Sequence, residues 1–360
     1  MFGILPKKES WVSLLILILT AILVLELKNQ SYKCIVALSL SCILSSLITY
    51  WGTTKLRKLR VGQVIRKEGP EEHQSKSGTP TMGGILFIPI GLLIGNLMSI
   101  DEENSNQILA ISMSALGFLF VGWFDDYLSL LGNKNTGLKP IWKLFLQIFF
   151  SCIFLFWSYS KGWILPEVGL FGNTIINLGI LVLPVSLFAL IAESNATNLT
   201  DGLDGLATGC GTLVFAGLSI ELMIRGGNNE YNIAIFSISM AGALLGFLSQ
   251  NRYPARIFMG DTGSLSIGAT LASIGIISNS LWSLLIMGGI FFSESISVIA
   301  QVLVFKATKK LNGRGLRLLR MAPVHHHFEL VGVKENKIVQ NFWIANIGFI
   351  VLGLILRSTG

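Results

Sequence analysis

Charged residues are scarce in this sequence. Aspartate, glutamate, lysine and arginine together make up 13% of its 360 residues, whereas about a quarter is usual in soluble domains. Hydrophobic residues contribute 52%, and no polar stretch between the apolar runs is long enough to build a second core. These features exclude a soluble protein of two or three domains and predict a single polytopic membrane domain.

Cysteine is also rare, and its spacing excludes a cysteine-based metal motif. The four cysteines lie in apolar runs without the spacing of metal ligands, so we interpret them as packing residues. The formal net charge is +7, but the positive residues are concentrated in loops rather than along one helix face. We therefore expect no nucleic-acid partner.

Eleven apolar runs in the sequence are long enough to cross about 30 Å of hydrocarbon as helices. The first follows Lys7 and Lys8, but no small-residue cleavage site comes after it, so we interpret it as an anchor rather than a signal peptide. The run at 264–280 is the weakest, because it is rich in serine and glycine. The predicted fold is an all-α polytopic membrane protein with ten or eleven transmembrane helices, at 11–27, 34–50, 83–100, 108–124, 144–161, 174–192, 206–224, 232–248, 264–280, 282–304 and 340–356.

Lysine and arginine are unevenly distributed between the two sides of these runs. With the N-terminus placed in the cytoplasm, the cytoplasmic segments hold 22 of the 27 Lys and Arg residues. The opposite side holds the remaining five and the acidic loop Asp101–Glu103. Positively charged loops stay on the cytoplasmic side of a membrane, so the sequence predicts this orientation.

Several polar clusters end apolar runs on the predicted cytoplasmic side. A charge at the centre of a membrane helix costs about 2.5–3.5 kcal/mol on insertion scales, so acids next to hydrocarbon need a reason. Asp125 and Asp126 end the fourth run. Adjacent helical residues point about 100° apart, so we expect the two carboxylates to have different partners; the alternative is a solvated helix end.

The segment 195–205 combines two amides and two acids. Asn195 and Asn198 are three residues apart, as are Asp201 and Asp204, and on a helix that spacing places each pair on one face. An Asn/Asp/Gly turn between helices is the alternative, but two carboxylates and two amides in so short a stretch favour a functional site.

Two further loops offer groups for a metal or a phosphate. Asp261 stands between two glycines before a predicted helix, and its carboxylate is a hard oxygen ligand of the kind that suits Mg²⁺; an ordinary helix N-cap is the alternative. The segment Lys76–Gly84 is basic and rich in hydroxyl groups and glycine, which suits a phosphate, although the order of a P-loop is absent.

Three consecutive histidines and one acid complete the candidate groups. The side chains of His325, His326 and His327 fan apart, so three ligands on one zinc ion are not expected. Imidazoles there could bind phosphate, position a sugar or move a proton, and an amphipathic interfacial loop is the alternative. Glu294 lies inside the tenth apolar run, where an acid is either functional or neutralises a buried lysine.

Five motifs follow one another along the sequence. They are Gly-Thr-Pro-Thr-Met-Gly-Gly at 78–84, Asp-Asp-Tyr at 125–127, Asn-Ala-x-Asn-Leu-Thr-Asp-Gly-Leu-Asp-Gly-Leu-Ala at 195–207, Phe-Met-Gly-Asp-x-Gly-Ser-Leu at 258–265 and Met-Ala-Pro-x-His-His-His-Phe-Glu at 321–329. In this order they resemble the phospho-N-acetylmuramoyl-pentapeptide-transferase family. The resemblance extends from about residue 34 to the C-terminus, so we expect residues 1–33 to be an extension with one extra span and residues 34–360 to form the transferase domain.

The resemblance implies a reaction and its participants. UDP-N-acetylmuramoyl-pentapeptide would give its phospho-sugar to undecaprenyl phosphate, forming lipid I and UMP with Mg²⁺, at the cytoplasmic face of a bacterial inner membrane. A homodimer is a further family expectation. Asp261 would bind Mg²⁺, Asp125 would deprotonate or orient the lipid phosphate with support from Asp126, and the three histidines would contact the sugar and phosphate side of the donor.

The resemblance also implies the groups that bind the donor and the phosphates. Around the uridine it places Lys76, Asp204, Asn251 and Phe258; around the phosphates, Asn195, Asn198, Asp201 and Lys143; and on the cleft wall, Gln301. The sequence departs from the family at Ser129 and Ile141, where basic residues are frequent, which weakens the expectation of further cations in that loop.

Two other functions fit parts of the sequence. A sister transferase that moves N-acetylglucosamine-1-phosphate to the same lipid shares the Asp-Gly-Leu-Asp-Gly run, but the three histidines favour the muramoyl branch. An ion-coupled transporter would place charges near the middle of the bilayer on broken helices related by inverted repeats, whereas here the polar clusters share one face and no repeat is evident.

Overall fold

The computed structural model describes residues 10–29, 31–58, 78–99, 105–132, 137–170 and 174–358. Within these ranges the chain forms thirteen α-helices and one short antiparallel hairpin. The helices are α1 Ser10–Asn29, α2 Lys33–Lys58, α3 Gly84–Met98, α4 Ser105–Leu131, α5 Pro140–Ser160, α6 Val182–Thr200, α7 Leu206–Arg225, α8 Asn228–Asn251, α9 Gly260–Ile277, α10 Leu281–Met287, α11 Gly289–Asn312, α12 Val324–Val331 and α13 Glu335–Ser358; the strands are β1 Glu167–Gly169 and β2 Ile175–Asn177.

The apolar helices confirm the prediction of an all-α polytopic membrane protein. Among the described residues, eight helices are long and apolar enough to cross a membrane, namely α2, α4, α5, α6, α7, α8, α11 and α13. The apolar parts of α1 and α3 are shorter. A membrane-spanning helix satisfies all its backbone hydrogen bonds internally, which is why such a composition folds as helices in lipid.

The weakest predicted span forms the centre of the bundle. Helix α9 is rich in serine and glycine, and every residue from Thr262 to Ile277 is buried. Small residues allow helix backbones to approach closely inside a membrane, where polar side chains also bond across helices. Ser266 Oγ donates to the carbonyl of Ala115 on α4 at 2.8 Å, and Ser273 Oγ to Ser114 Oγ at 2.8 Å. The low hydropathy of this segment therefore marks a helix surrounded by protein.

Two predicted spans have different boundaries in the structure. The run at 282–304 was predicted as one span, but it divides into α10 and α11 at Gly288. The run at 174–192 begins with strand β2, so α6 starts only at Val182. The hairpin is fixed by the amide of Gly169, which donates to Asn279 Oδ1 at 3.3 Å. A short apolar strand and the first turn of a helix have the same hydropathy, so the sequence does not separate them.

Helix α1 is joined to the bundle by one buried carboxylate. Glu26 is 0% exposed and accepts hydrogen bonds from the amides of Cys34 at 2.6 Å and Ile35 at 3.0 Å, and from the Tyr231 hydroxyl at 3.1 Å. Those amides belong to the first turn of α2, where helices leave amides unpaired and favour negative charge. The acid therefore connects α1, α2 and α8.

We expect Glu26→Leu to destabilise the fold, because the buried amide of Cys34 and the half-buried amide of Ile35 lose their acceptor. Each unpaired buried donor costs about 1–3 kcal/mol, so the midpoint of thermal unfolding in detergent should fall clearly. The control is Glu167→Gln, which alters an exposed acid on β1. Equal unfolding midpoints for Glu26→Leu and the wild type would contradict this assignment.

Candidate active site

Three carboxylates meet where helix α4 approaches the start of α9. Asp125 and Asp126 lie near the end of α4, and Asp261 lies in the first turn of α9. One oxygen from each carboxylate lies within 4.8 Å of the others. Gly122, about one turn before the aspartate pair, permits this approach, because a Cβ there would collide with the carbonyl oxygen of Asp261.

Asp126 closes the N-terminus of α9. Its Oδ2 accepts hydrogen bonds from the Thr262 amide at 3.0 Å and the Thr262 hydroxyl at 2.6 Å, while its Oδ1 accepts from the Asp261 amide at 3.2 Å. An acid at this place satisfies amides that the helix itself leaves unpaired. Asp126 thereby fixes the position of Asp261, whose side chain leaves the same turn. Asp261 itself is not the N-cap of α9, because Met259 occupies that position.

Asp125 has a different partner, as the sequence predicts. Its Oδ1 accepts a hydrogen bond from the amide of Leu138 at 3.0 Å, in the short connection that leads into α5. The two adjacent carboxylates thus diverge in their hydrogen bonds, yet each still brings one oxygen to the shared cluster.

Asp261 is held by groups from two other helices. Lys143 Nζ on α5 forms an ion pair with its Oδ2. Asn198 Nδ2 on α6 donates to its Oδ1 at 2.8 Å and to Ser264 Oγ at 2.9 Å. The side chains of Lys143 and Asp261 remain 18% and 25% exposed, so the cluster is open to a ligand. Lys143 and Asn198, which the resemblance assigns to the phosphate region, therefore lie next to Asp261.

The charges of this cluster fit a divalent metal ion. Three ionised carboxylates and the ammonium group of Lys143 leave two negative charges uncompensated among these four side chains. Carboxylate oxygens are the ligands that hard cations such as Mg²⁺ and Ca²⁺ prefer. The cluster of Asp125, Asp126 and Asp261 can therefore hold a metal ion.

The two acids of segment 201–205 do not share a helix face. Helix α6 ends at Thr200 and a turn follows, so the helical spacing does not apply. Asp204 turns away from the cluster and accepts the Ala255 amide at 2.8 Å, while its own amide donates to Glu335 Oε1 at 2.8 Å. Glycine and aspartate favour a turn over a further helical residue here.

Asp201 lies near the acid cluster, and within the described part of the chain its charged neighbours are all acids. Burial raises the pKa of Asp201 well above its usual value of 3.8, and the nearby acids Asp261, Asp126 and Asp204 raise it further. Of the two acids in the turn, Asp201 is therefore the one whose ionised form a bound cation would stabilise more.

Asn251 is the last residue of α8, and Phe258 lies on the loop between α8 and α9. Asn251 is buried and donates to the carbonyl of Ile257 at 2.9 Å, which fixes the loop. Phe258 is half-buried; its amide donates to Pro80 at 2.8 Å and its carbonyl accepts the Gly83 amide at 2.9 Å. The Gly-rich segment before α3 thus contacts the residues just before Asp261. Lys76 lies outside the described residues.

One residue near the site was missed by the sequence reasoning. Gln147 lies one turn after Lys143 on α5, is 1% exposed, and accepts a hydrogen bond from Asn195 Nδ2 at 3.0 Å. Asn195 also donates to its own helix at Ile191, so it lies a turn deeper than Asn198 and pairs α6 with α5. A polar residue four positions from a lysine in an apolar helix was the available signal.

The three histidines have three different partners, as expected from consecutive positions. They lie in the short helix α12 rather than in a loop. His326 Nδ1 is 2.6 Å from Glu329 Oε2, and His327 Nδ1 accepts the Arg320 amide at 3.2 Å. His325 is fully buried against Glu294. The alternative that Glu294 neutralises a buried lysine is therefore wrong, because its partner is an imidazole.

Gln301 contacts the backbone rather than the acid cluster. Its Oε1 accepts the amides of Leu318 and Leu319, both at 2.9 Å. The side chain thereby fastens the segment after α11 to that helix.

Two models of known protein families match parts of the chain. The model of glycosyl transferase family 4 matches residues 108–279, which include Asp125, Asp126 and Asp261. The phospho-N-acetylmuramoyl-pentapeptide-transferase signature 1 matches residues 76–88.

Curated relatives identify the family more narrowly. A phospho-N-acetylmuramoyl-pentapeptide-transferase of Prochlorococcus marinus (strain MIT 9313) is 53% identical over 89% of this chain and 86% of its own length. The enzyme of the same name from Synechococcus sp. (strain WH7803) is 53% identical over 87% of this chain and 86% of its own length. The chain belongs to the phospho-N-acetylmuramoyl-pentapeptide-transferase family and is an enzyme of peptidoglycan synthesis.

The raised pKa of Asp201 leads to a prediction about stability and pH. A carboxyl whose pKa is higher in the folded than in the unfolded state supports folding fully below its unfolded value, and that support is lost as pH rises through the folded value. We therefore expect Asp201→Asn to be more stable than the wild type at pH 8, with a difference that shrinks as the pH falls toward 4. Thermal unfolding at several pH values measures this.

The matched control is Asp204→Asn. Its carboxylate accepts an amide hydrogen bond, so removing its charge should not stabilise the protein. A wild type that is as stable as Asp201→Asn at pH 8 would contradict the electrostatic description of Asp201.

Proposed function

We propose that the chain transfers phospho-N-acetylmuramoyl-pentapeptide from its UDP-linked donor to undecaprenyl phosphate, giving lipid I and UMP. The observation that carries this proposal is the convergence of Asp125, Asp126, Asp261 and Lys143 at one end of a membrane bundle. Charged donor phosphates come from water and the polyprenyl acceptor comes from lipid, so their reaction requires polar groups at the end of membrane helices.

We propose Mg²⁺ as the metal, held by Asp261 with Asp125 beside it. When bound, the ion supplies neutralisation of the phosphate charge. Exchange of one phosphoryl partner for another depends mainly on positioning and on compensation of charge. Asp126 contributes by fixing the first turn of α9, and Asn198 by orienting the carboxylate of Asp261.

Asp125 is the proposed partner of the acceptor phosphate. Its carboxylate is half-buried, accepts the amide of Leu138 through Oδ1 and interacts directly with the carboxyl group of Asp261, so within the cluster it is placed to accept a proton or orient the lipid phosphate. Lys143 stands on the same side and balances charge there.

The donor is proposed to lie along the loop between α8 and α9 and the turn 201–205. Phe258 is half-buried and presents a ring on which uracil could stack, with Lys76 near the same part of the donor. Asp204 and Asn251 would support the uridine by fixing the loop that carries Phe258. Asp201, Asn195 and Asn198 are assigned to the phosphate region. Of the two amides, Asn198 has the more direct role, because it donates to Asp261.

The histidine helix is proposed to meet the sugar side of the donor. His326 and His327 are half-buried, whereas His325 is fully buried and would act from behind them. Gln301 would shape the cleft wall by holding the segment that precedes the histidines. Because Lys and Arg are concentrated on one side of the predicted spans and the nucleotide sugar is cytoplasmic, we propose that the reaction takes place at the cytoplasmic face of a bacterial inner membrane. Residues 34–360 are the proposed transferase domain, which follows an N-terminal extension.

Release of UMP tests the proposal directly. Purified protein with undecaprenyl phosphate and Mg²⁺ should release UMP from UDP-N-acetylmuramoyl-pentapeptide and not from UDP-N-acetylglucosamine. Asp261→Ala should reduce the rate by about 100-fold or more, the size of loss seen when one charge-stabilising group is removed. Chelation of divalent ions should abolish release, and Mg²⁺ should restore it.

The control variant is Glu167→Gln, an exposed acid far along the chain from every site residue, which should keep the wild-type rate. Release with UDP-N-acetylglucosamine alone would assign the chain to the sister transferases. Full activity of folded Asp261→Ala would contradict the proposed metal site.

A further inference from the structure

A buried acid and a buried imidazole form a pair beneath the histidine helix. Glu294 on α11 and His325 on α12 are both 0% exposed, and Glu294 Oε2 lies 3.0 Å from His325 Nδ1. When Glu294 is ionised, its carboxylate accepts the hydrogen bond from Nδ1–H of His325. The pair therefore fixes both the orientation and the tautomer of the ring.

The rest of α11 guides the chain to this pair. Glu294, Gln301 and Thr308 are spaced seven residues apart, which places them along one face of the helix. Thr308 Oγ1 accepts the Leu316 amide at 2.8 Å, and Gln301 Oε1 accepts those of Leu318 and Leu319. These hydrogen bonds hold the segment after α11 against that face of the helix, and the chain that follows places His325 beside Glu294.

The other edge of the His325 ring abuts the turn that carries Asp201 and Asp204. A Cβ placed on Gly202 would collide with His325 Nε2, so the imidazole fills the space between α11 and this turn. His325 Nε2 is buried without a hydrogen-bond partner among the described residues. The ring is therefore held by Glu294 on one edge, while its other edge sets the closest approach of the turn.

We propose that Glu294 is a positioning residue: by its hydrogen bond to His325 it holds the imidazole against Gly202 and so sets the position of the turn Asp201–Gly205. This inference rests on the proposed function, in which that turn faces the donor. Loss of the hydrogen bond would let the ring rotate and the turn move, which weakens binding of the donor and leaves the acceptor unaffected.

The test is the kinetics of UMP release by Glu294→Leu and Glu294→Gln. Glu294→Leu removes the acceptor and is expected to raise the KM for the UDP-linked donor by about 10- to 100-fold, the range for losing a carboxylate that orients a metal-bound imidazole. The KM for undecaprenyl phosphate should stay unchanged. Glu294→Gln keeps an oxygen that accepts from Nδ1–H and should recover most of the loss.

Two comparisons separate positioning from a general loss of structure. Glu26→Leu removes a second fully buried carboxylate whose contacts are all with α1, α2 and α8; it should lower the unfolding midpoint with the donor KM unchanged. Gly202→Ala displaces the same ring from the turn side, so it should raise the donor KM by itself. Combined with Glu294→Leu it should add little, because both changes act through His325.

The outcomes are distinct. An unchanged donor KM in both Glu294→Leu and Gly202→Ala would overturn the proposal. It would also be overturned if the donor KM of the double variant rose by the full product of the two single increases. Should Glu294→Leu fail to fold, Gly202→Ala and Glu294→Gln decide the question alone. All variants are measured with the UDP-sugar from which the wild type releases UMP. An error in the proposed donor would therefore appear as a different substrate of the wild type, and it would not alter the comparison between wild type and variants.

Discussion

The hydrogen bonds between Asp126 and the first turn of α9 are the interaction on which the site depends. They join the end of one membrane helix to the start of another, and they use a carboxylate that would otherwise be costly beside hydrocarbon. Because Asp261 leaves the same turn, its carboxylate is placed beside Asp125 without further adjustment. Lys143 and Asn198 then reach Asp261 from α5 and α6, so four helices are coordinated by one helix start.

The packing that permits this arrangement comes from small side chains. Helix α9 has the composition of a poor membrane span, yet it is the most enclosed of the helices near the site. Its serines bond to α4, and Gly122 allows the two backbones to come together near Asp261. In a membrane, apolar side chains gain little by contacting one another rather than lipid, so close backbone packing and buried hydrogen bonds contribute more of the association.

The sequence predicts the membrane class, the helices and most members of the acid cluster, because hydropathy and the position of charges at helix ends are local properties. It does not predict the turn at 201–205, since the same residues fit a helix or a turn. The sequence does not predict the division at Gly288 or the short hairpin, because the hydropathy of an apolar run does not indicate where its backbone changes direction. Gln147 and the pairing of Glu294 with His325 depend on tertiary contact, and no local pattern specifies which buried polar groups meet.

The charges within the bundle explain why the ligand site is where it is. Glu26 accepts hydrogen bonds at the start of α2, Glu221 lies 3.9 and 3.7 Å from Arg225 and Arg357, and Glu294 is hydrogen-bonded to His325. Each of these acids has a partner from the chain, and such pairs mainly fix the arrangement of helices. When ionised, the clustered carboxylates of Asp125, Asp126 and Asp261 carry more negative charge than Lys143 balances. A cation and the phosphates that it brings are the compensation that the chain itself omits, so the excess charge marks the reaction centre more sharply than any single motif.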